Sequence, residues 1–500
     1  MPNGLRLNNW EEDRMIVVAE RCRDAAVVQL YIHDDSEDFH LPLPAGKLRV
    51  GDHLLFYSRS AEEPTIMVIY MGNRRVCTSE TVKRAASSAA RKLQVEGFAS
   101  AYLMPVSARI RTLFGIPAED WLTAWAEGWL LGSYQFHQYK TASPEPQPVY
   151  LQVDTGSFST LSVQVMEQAV HTAKIRAQGN ILARNLVNEP ANTLFPGEFV
   201  ERIVSHFNAA EGVQTCVYQG EELVQHQMNG LIAVGAGSAH QPVMLQVRYT
   251  TAPELPLLAL VGKGITFDMG GMNIKNGNDI SDARMDMGGA AAVIGALDII
   301  VSKKLKVNIV ALIPIAENVP DAKAMLPSSI IHYPNNMTVQ VGNTDGEGRL
   351  ILADALLHAE RLGAKQVIDI ATLTGNVGAA LGLGIAGIWG DEQMSAYLVE
   401  AGEKCGERLW PMPLMDEYEC YLHSDYADIN NTSSLPLAGA ITAALFLRRF
   451  VAEDMTWTHI DMAGTSQYKS ETAYAAAGAS GYGACLLADY VAARASCRGK

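Results

Sequence analysis

From about residue 200 onward the chain alternates short, almost continuously apolar runs with longer runs of helical periodicity. No other feature constrains the fold as strongly. The apolar runs are GLIAVGAG, PVMLQVRY, PLLALVG, VNIVALIPI, MTVQVGN, QVIDIATLTG and WTHIDMAG. Helical runs such as GGAAAVIGALDIIVSKK and RLILADALLHAERLG lie between them. Strands that are apolar on both faces must be covered on both faces, and alternation with helices supplies the cover. The expected class is α/β, with a mixed, mostly parallel sheet flanked by helices. In such sheets, reactive groups collect in loops beyond the C-terminal strand ends.

The chain has 500 residues, too many for one ordinary domain, so two are expected. Hydrophobic residues make up 48% of it, enough for large cores. Before residue 140 the runs RMIVVAE, AAVVQLYI, HLLFYS and PTIMVIYM read as strands. SETVKRAASSAARKLQVEGFA reads as an amphipathic helix capped by Ser79. KTASPEPQPVYLQVDTGS reads as a linker, and a long helix is expected from Leu161 to Asn188. The expected division is a smaller N-terminal α/β domain over 1–160 and a larger catalytic domain over 161–500.

Seven scattered cysteines without CxxC spacing argue against a disulfide framework and against a cysteine zinc site. The N-terminus lacks an apolar signal core, and no apolar run is long enough to span a bilayer. A cytoplasmic protein without a membrane segment is expected. The net charge is −15, and residues 1–160 carry 16 Lys+Arg against 19 Asp+Glu, so the catalytic part holds most of the excess acid. That balance disfavours a nucleic-acid substrate.

The polar residues at the strand ends are informative. Lys263 follows PLLALVG, with Asp268 five residues on; Asp286 precedes the Gly-Gly that starts a helix; Asp345 and Glu347 follow MTVQVGN. Taken singly, each has an ordinary reading: a turn aspartate, a helix cap, a solvated acidic pair. Together they place several acids where a parallel sheet collects its site, and converging carboxylates repel unless a cation joins them. Two divalent cations would need about this many oxygen ligands. Asp345 and Glu347, two apart, would face one way on an extended backbone, and Gly346 would let a metal approach.

The same residues resemble a known family. NTDGEGRL (343–350), VGKGITFDMGG, RMDMGGAAAV, NLVNEPANTLFPGEF, SDYADINN, LPLAGAITAALFLRRFV and HIDMAGT are similar, in order, to blocks of the leucine aminopeptidase (cytosol aminopeptidase) family, over about 127–480. The resemblance implies a metal-dependent aminopeptidase of broad, leucine-type specificity, acting through a water that bridges two metals. Lys263, Asp268, Asp286 and Glu347 would hold one metal, and Asp268, Asp345 and Glu347 the other. The ions would be Zn or Mn, with Mg or Co as further candidates. Lys275 would face the scissile carbonyl, and Arg349 would hold a bicarbonate or similar anion. Ala283, Thr372 and Gly375 would line the substrate pocket. The resemblance also implies peptide substrates and a homohexamer. Gly346 stands where the family has alanine and is expected to loosen the loop; Met269, Asn276 and Ala283 are further departures. Arg74, Arg75, Lys83, Arg84, Arg91 and Lys92 cluster in the N-terminal part. Their expected role is a solvated helix face, and the alternative is nucleic-acid binding through that domain.

Overall fold

The computed structural model describes residues 15–20, 27–33, 48–49, 51–71, 78–106, 115–142, 146–158, 160–277 and 279–497. The N-terminal strands are β1 (Ile16–Ala19), β2 (Val28–His33), β3 (His53–Phe56), β4 (Ile66–Tyr70), β5 (Ser100–Leu103) and β6 (Tyr150–Asp154). They form one sheet in the order β1-β6-β5-β2-β4-β3, parallel throughout except for β3 against β4. β6 corrects the expected linker. Pro-rich flanks conceal YLQVD, yet Leu151 and Val153 are buried and the strand lies between β1 and β5. The helix Ser79–Val95 forms as expected, but its cap is Thr78, not Ser79. Thr78 and Thr81 bond reciprocally through side chain and backbone, which satisfies donors the first turn leaves open.

The helix Val163–Asn188 joins the two cores. Met166, Ala169 and Ala173 pack into the N-terminal core, while Leu182, Leu186 and Val187 pack into the catalytic one. A helix buried on most sides loses the single apolar stripe of a surface helix.

The remaining strands are β7 (Val213–Gln219), β8 (Val243–Thr250), β9 (Leu258–Gly262), β10 (Gly264–Asp268), β11 (Asn308–Asn318), β12 (Ile330–His332), β13 (Thr338–Gln340), β14 (Gln366–Ala371), β15 (Ala386–Gly390), β16 (Leu409–Pro411), β17 (Ile429–Asn430), β18 (Thr456–Asp461), β19 (Gln467–Tyr468) and β20 (Gly478–Ala479). Nine of them make the main sheet, in the order β16-β15-β18-β14-β9-β11-β8-β7, with β10 also on β11. Its centre is parallel; β8 and β15 bring the antiparallel pairings. Both faces are covered, as continuous apolar strands require. Along β11, Ile309, Ala311 and Ile313 enter one core, and Val310 and Leu312 the other.

Two strand expectations are corrected. GLIAVGAG folds as the helix Asn229–Gly235. Periodicity alone cannot separate a short apolar strand from a buried helix. Here the Asp354 carboxylate accepts from the Leu231 N–H at 2.7 Å and favours the helix. MTVQVGN contributes only Thr338–Gln340, in a separate sheet ordered β12-β13-β17. The Asp345–Glu347 loop therefore reaches the site from beside the main sheet.

The stretch Ser281–Ser302 is long and apolar enough to cross a bilayer by composition, but its most apolar window is 78% buried inside the fold. Cys216, Cys405, Cys420 and Cys485 are free; Cys22, Cys77 and the Cys497 side chain lie outside the described residues. The described members of the basic cluster are spent on ion pairs. Lys83 meets Glu127 at 3.0 Å, Arg84 pairs with Glu80, Arg91 with Glu471 and Lys92 with Glu96. Arg91 is buried and Lys83 half-buried, so this is no uniformly solvated face. Arg74 and Arg75 lie outside the described residues.

Candidate active site

Lys263 is the single residue between β9 and β10. Its N–H still donates to Ile370 of β14, and its carbonyl accepts from Ala290 of the helix Gly288–Ser302. β14 stops at Ala371, while β10 continues along β11 to Asp268, and the site is built where they part. The Lys263 side chain is 3% exposed. Its Nζ lies 2.6 Å from Asp286 Oδ2 and 2.8 Å from Glu347 Oε1, and donates to the Thr372 carbonyl at 3.1 Å. Asp286 follows the 3-10 turn Ser281–Met285 and accepts from the Thr372 hydroxyl at 2.7 Å. Gly348 makes room for this lysine: a Cβ there would lie 2.4 Å from Lys263 Cε.

Lys275 makes a parallel arrangement. Its Nζ lies 2.6 Å from Asp268 Oδ2 and 2.5 Å from Asp345 Oδ1. Four carboxylates thus face two ammonium groups, each bridging one pair of acids. Asp268, Asp286 and Glu347 offer oxygens within 4.8 Å of one another.

Residues that no motif reading singled out hold this cluster. Asn318, at the end of β11, donates to Asp268 Oδ1 at 2.8 Å and to the Thr344 carbonyl at 3.0 Å. A polar residue closing an 11-residue buried apolar strand was the available signal. The Thr344 hydroxyl donates to the Gly270 carbonyl at 2.6 Å and so joins the Asp268 and Asp345 loops. Asp461 accepts from the Thr374 hydroxyl at 2.6 Å and from the Leu373 N–H at 3.1 Å, which fixes the loop after β14.

Electrostatics follows from burial and crowding. Burial, reinforced by the Asp268 charge, raises the Asp345 carboxyl to about 6. Burial also raises Asp286, against the pull of Lys263. For Lys263, burial opposes the charge, but Asp286 and Glu347 outweigh it and hold the proton on. The donor set fits a divalent cation. Asp286 Oδ2 and Asp345 Oδ1 are buried, accept no hydrogen bond and face lysine nitrogens at ion-pair distance. For Lys263 to ligate, a metal must displace its proton while taking over neutralisation of the acids.

The reading of Asp345 and Glu347 as neighbours on extended backbone is corrected. Asp345 lies in a turn, and Glu347 is the first residue of the helix Glu347–Arg361. Gly346 does not loosen that turn. A Cβ there would meet Thr432 Cγ2 at 2.7 Å and Asn431 Nδ2 at 2.9 Å. Asn431 is fully buried; its Oδ1 accepts from Gly342 and Asn343, and its Nδ2 donates to the Asn343 and Gly346 carbonyls. Gly346→Ala is therefore expected to displace the loop between two candidate ligands and weaken metal binding about tenfold or more. Thr432→Ser, which removes the nearer atom, should restore much of the loss. Metal titration followed by thermal shift checks both; unchanged affinity in Gly346→Ala would show that the loop yields.

Arg349 is buried, and burial lowers its pKa to about 10. Its Nη1 donates to the Asn431 carbonyl at 2.8 Å, while its buried Nε has no partner, a donor left for an anion. One cavity of about 570 Å³ brings together all ten residues expected from the sequence: Lys263, Asp268, Lys275, Ala283, Asp286, Asp345, Glu347, Arg349, Thr372 and Gly375.

A two-domain α/β fold with an acidic, lysine-bridged cavity at the strand ends suits an enzyme whose site can hold divalent cations. Sequence comparison narrows it. The family profile described as "Cytosol aminopeptidase family, catalytic domain" matches residues 181–488, and that of its N-terminal domain matches 48–143. The chain belongs to the cytosol aminopeptidase family and is a peptide-bond hydrolase. Similarity thus reaches further into the N-terminal part than the blocks over 127–480 indicate. The chain is 38% identical over 443 residues to a "Probable cytosol aminopeptidase" of Syntrophotalea carbinolica, covering 88% of each. It is 37% identical over 431 residues to one of Geobacter sulfurreducens, covering 86% of this chain and 85% of the relative. Among solved structures, "Bottromycin maturation enzyme BotP in complex with Mn" is similar with a TM-score of 0.84 and 30% identity, over 94% of this chain and all of that one.

Proposed function

We propose that this chain is a metal-dependent aminopeptidase that removes N-terminal residues from peptides. The carrying observation is the pair of lysine nitrogens, each set between two carboxylates in the cavity. Lys263, Asp268, Asp286 and Glu347 would hold one divalent ion, and Asp268, Asp345 and Glu347 a second. When bound, such ions act as Lewis acids toward the scissile carbonyl and lower the pKa of a coordinated water. Lys275, a third exposed and protonated, would donate to the carbonyl oxygen as negative charge develops on it. Arg349 would hold bicarbonate or a similar anion through the donors Asn431 leaves free. Thr372 orients Asp286, and Ala283 and Gly375 leave space for the substrate side chain, consistent with broad specificity.

The similar BotP structure is a complex with Mn, which supports manganese as one occupant; zinc, magnesium and cobalt suit mixed oxygen and amine ligands as well. Assembly as a homohexamer is what the family resemblance implies. The relatives' names support a cytoplasmic location, and the domain division we propose is 1–160 and 161–500.

The test is hydrolysis of a panel of amino-acid p-nitroanilides before chelation, after it, and after readdition of Zn²⁺, Mn²⁺, Co²⁺ or Mg²⁺. Activity should vanish on chelation, return with at least one ion, and be absent for substrates with an acetylated N-terminus. Activity that survives complete chelation would sink the proposal.

A further inference from the structure

A second cavity, of about 470 Å³, opens between the helix Ser79–Val95 and loops of the catalytic part. Most charged groups lining it have protein partners. Lys83 donates to Glu127 and to the Cys405 carbonyl, Arg84 pairs with Glu80, and Lys469 lies 2.8 Å from Asp282. Glu407 accepts from the Gly483 and Leu486 N–H groups at the start of the helix Ala484–Cys497.

Arg184 is the exception. It is 6% exposed and lines the cavity. Its Nε donates to Asn180 Oδ1 at 2.7 Å and to the Ser480 carbonyl at 3.0 Å, and its guanidinium lies 5.5 Å from the Tyr134 ring centre. Among the described residues, no carboxylate forms an ion pair with it and neither Nη has a hydrogen-bond acceptor. A buried guanidinium without a counterion is costly. The two free Nη groups form a rigid fork whose geometry matches a carboxylate. Tyr468, Tyr474, Tyr482 and Leu131 add apolar surface to the same cavity.

We propose that this cavity is a second ligand site, which takes a small carboxylate with an apolar body, anchored on Arg184. It borders the first site rather than lying remote from it. Gln467 lines both cavities, and Gln467 and Lys469 both donate to Asp282, on the turn that leads to Asp286.

Calorimetric titration of the full chain with N-acetyl-L-leucine tests this, because that probe has a carboxylate but no free amine to enter the first site as a substrate. Saturable binding is expected to wild type and equally to Glu347→Gln, so the outcome is independent of the aminopeptidase reading. Folded Arg184→Gln should bind about tenfold or more weakly. Leu383→Trp, an enlargement at an exposed lining residue, should also weaken it and decides the matter if Arg184→Gln does not fold. No saturable binding to wild type, or unchanged binding to folded Arg184→Gln or to Leu383→Trp, overturns the proposal. Displacement of the probe by equimolar inorganic phosphate overturns the assignment to a carboxylate.

Discussion

Glu347→Gln is expected to lower hydrolysis of an amino-acid p-nitroanilide by at least about a thousandfold, roughly 4 kcal/mol of transition-state stabilisation. The substitution keeps the shape of the side chain, removes its charge and replaces one acceptor oxygen by an N–H donor. Glu347 is almost completely buried, with one oxygen 2.8 Å from Lys263 Nζ and the other 3.5 Å from Asn318 Nδ2. In the metal-free protein the change relieves repulsion, since one of four carboxylates around two ammonium groups becomes neutral. The metal-free variant should therefore melt no lower than wild type. The loss should appear on adding metal: wild type gains thermal stability by mass action, and Glu347→Gln should gain much less. A variant that binds metal like wild type and retains activity would refute the assignment of Glu347 as a ligand shared by both ions. A variant that melts far below wild type without metal would instead mean that Glu347 serves mainly as the counterion of Lys263.

Most of the architecture is legible in the sequence because burial leaves a strong mark on strands covered on both faces. VNIVALIPI could be little else, and β11 is indeed buried along its whole length. The ten residues expected of the site sit in ordered blocks of the sequence, and one cavity collects them. The corrected elements share a cause: tertiary partners decide local structure where the local signal is weak. YLQVD reads as linker because prolines flank it, although β1 and β5 pair with it on both sides. GLIAVGAG is apolar enough for either state, and Asp354 decides for helix. β10 escapes notice because GITFD follows β9 after one residue, and only β11 alongside makes it a strand. Asn318 and Asn431 carry no periodicity, and each acts through contacts far along the chain. Gly346 is the clearest case. Its meaning depends on Thr432, eighty-six positions away, and cannot be read from the signature that contains it.

Lys275→Ala is expected to reduce kcat about a hundredfold to a thousandfold while KM and bound metal change little. Lys263 and Lys275 look alike in the metal-free protein, since each bridges two carboxylates. Their settings differ in a way that separates their roles. Lys263 is enclosed, with its nitrogen against Asp286, Glu347 and the Thr372 carbonyl, and would stay among these groups if they held a cation. Lys275 is a third exposed, on the loop after Gly270 and Gly271, both of which have positive φ; if Asp268 and Asp345 held a cation, it would be free to turn toward solvent and substrate. A lysine displaced in this way remains an ammonium, suited to a carbonyl oxygen that gains negative charge in the transition state. Removing it takes one positive charge from Asp268 and Asp345, so metal affinity should stay level or increase. Loss of metal from Lys275→Ala would make this lysine a ligand. A raised KM with unchanged kcat would make it a ground-state binding group. Reduced kcat with metal retained is the result that the mobile, protonated lysine predicts.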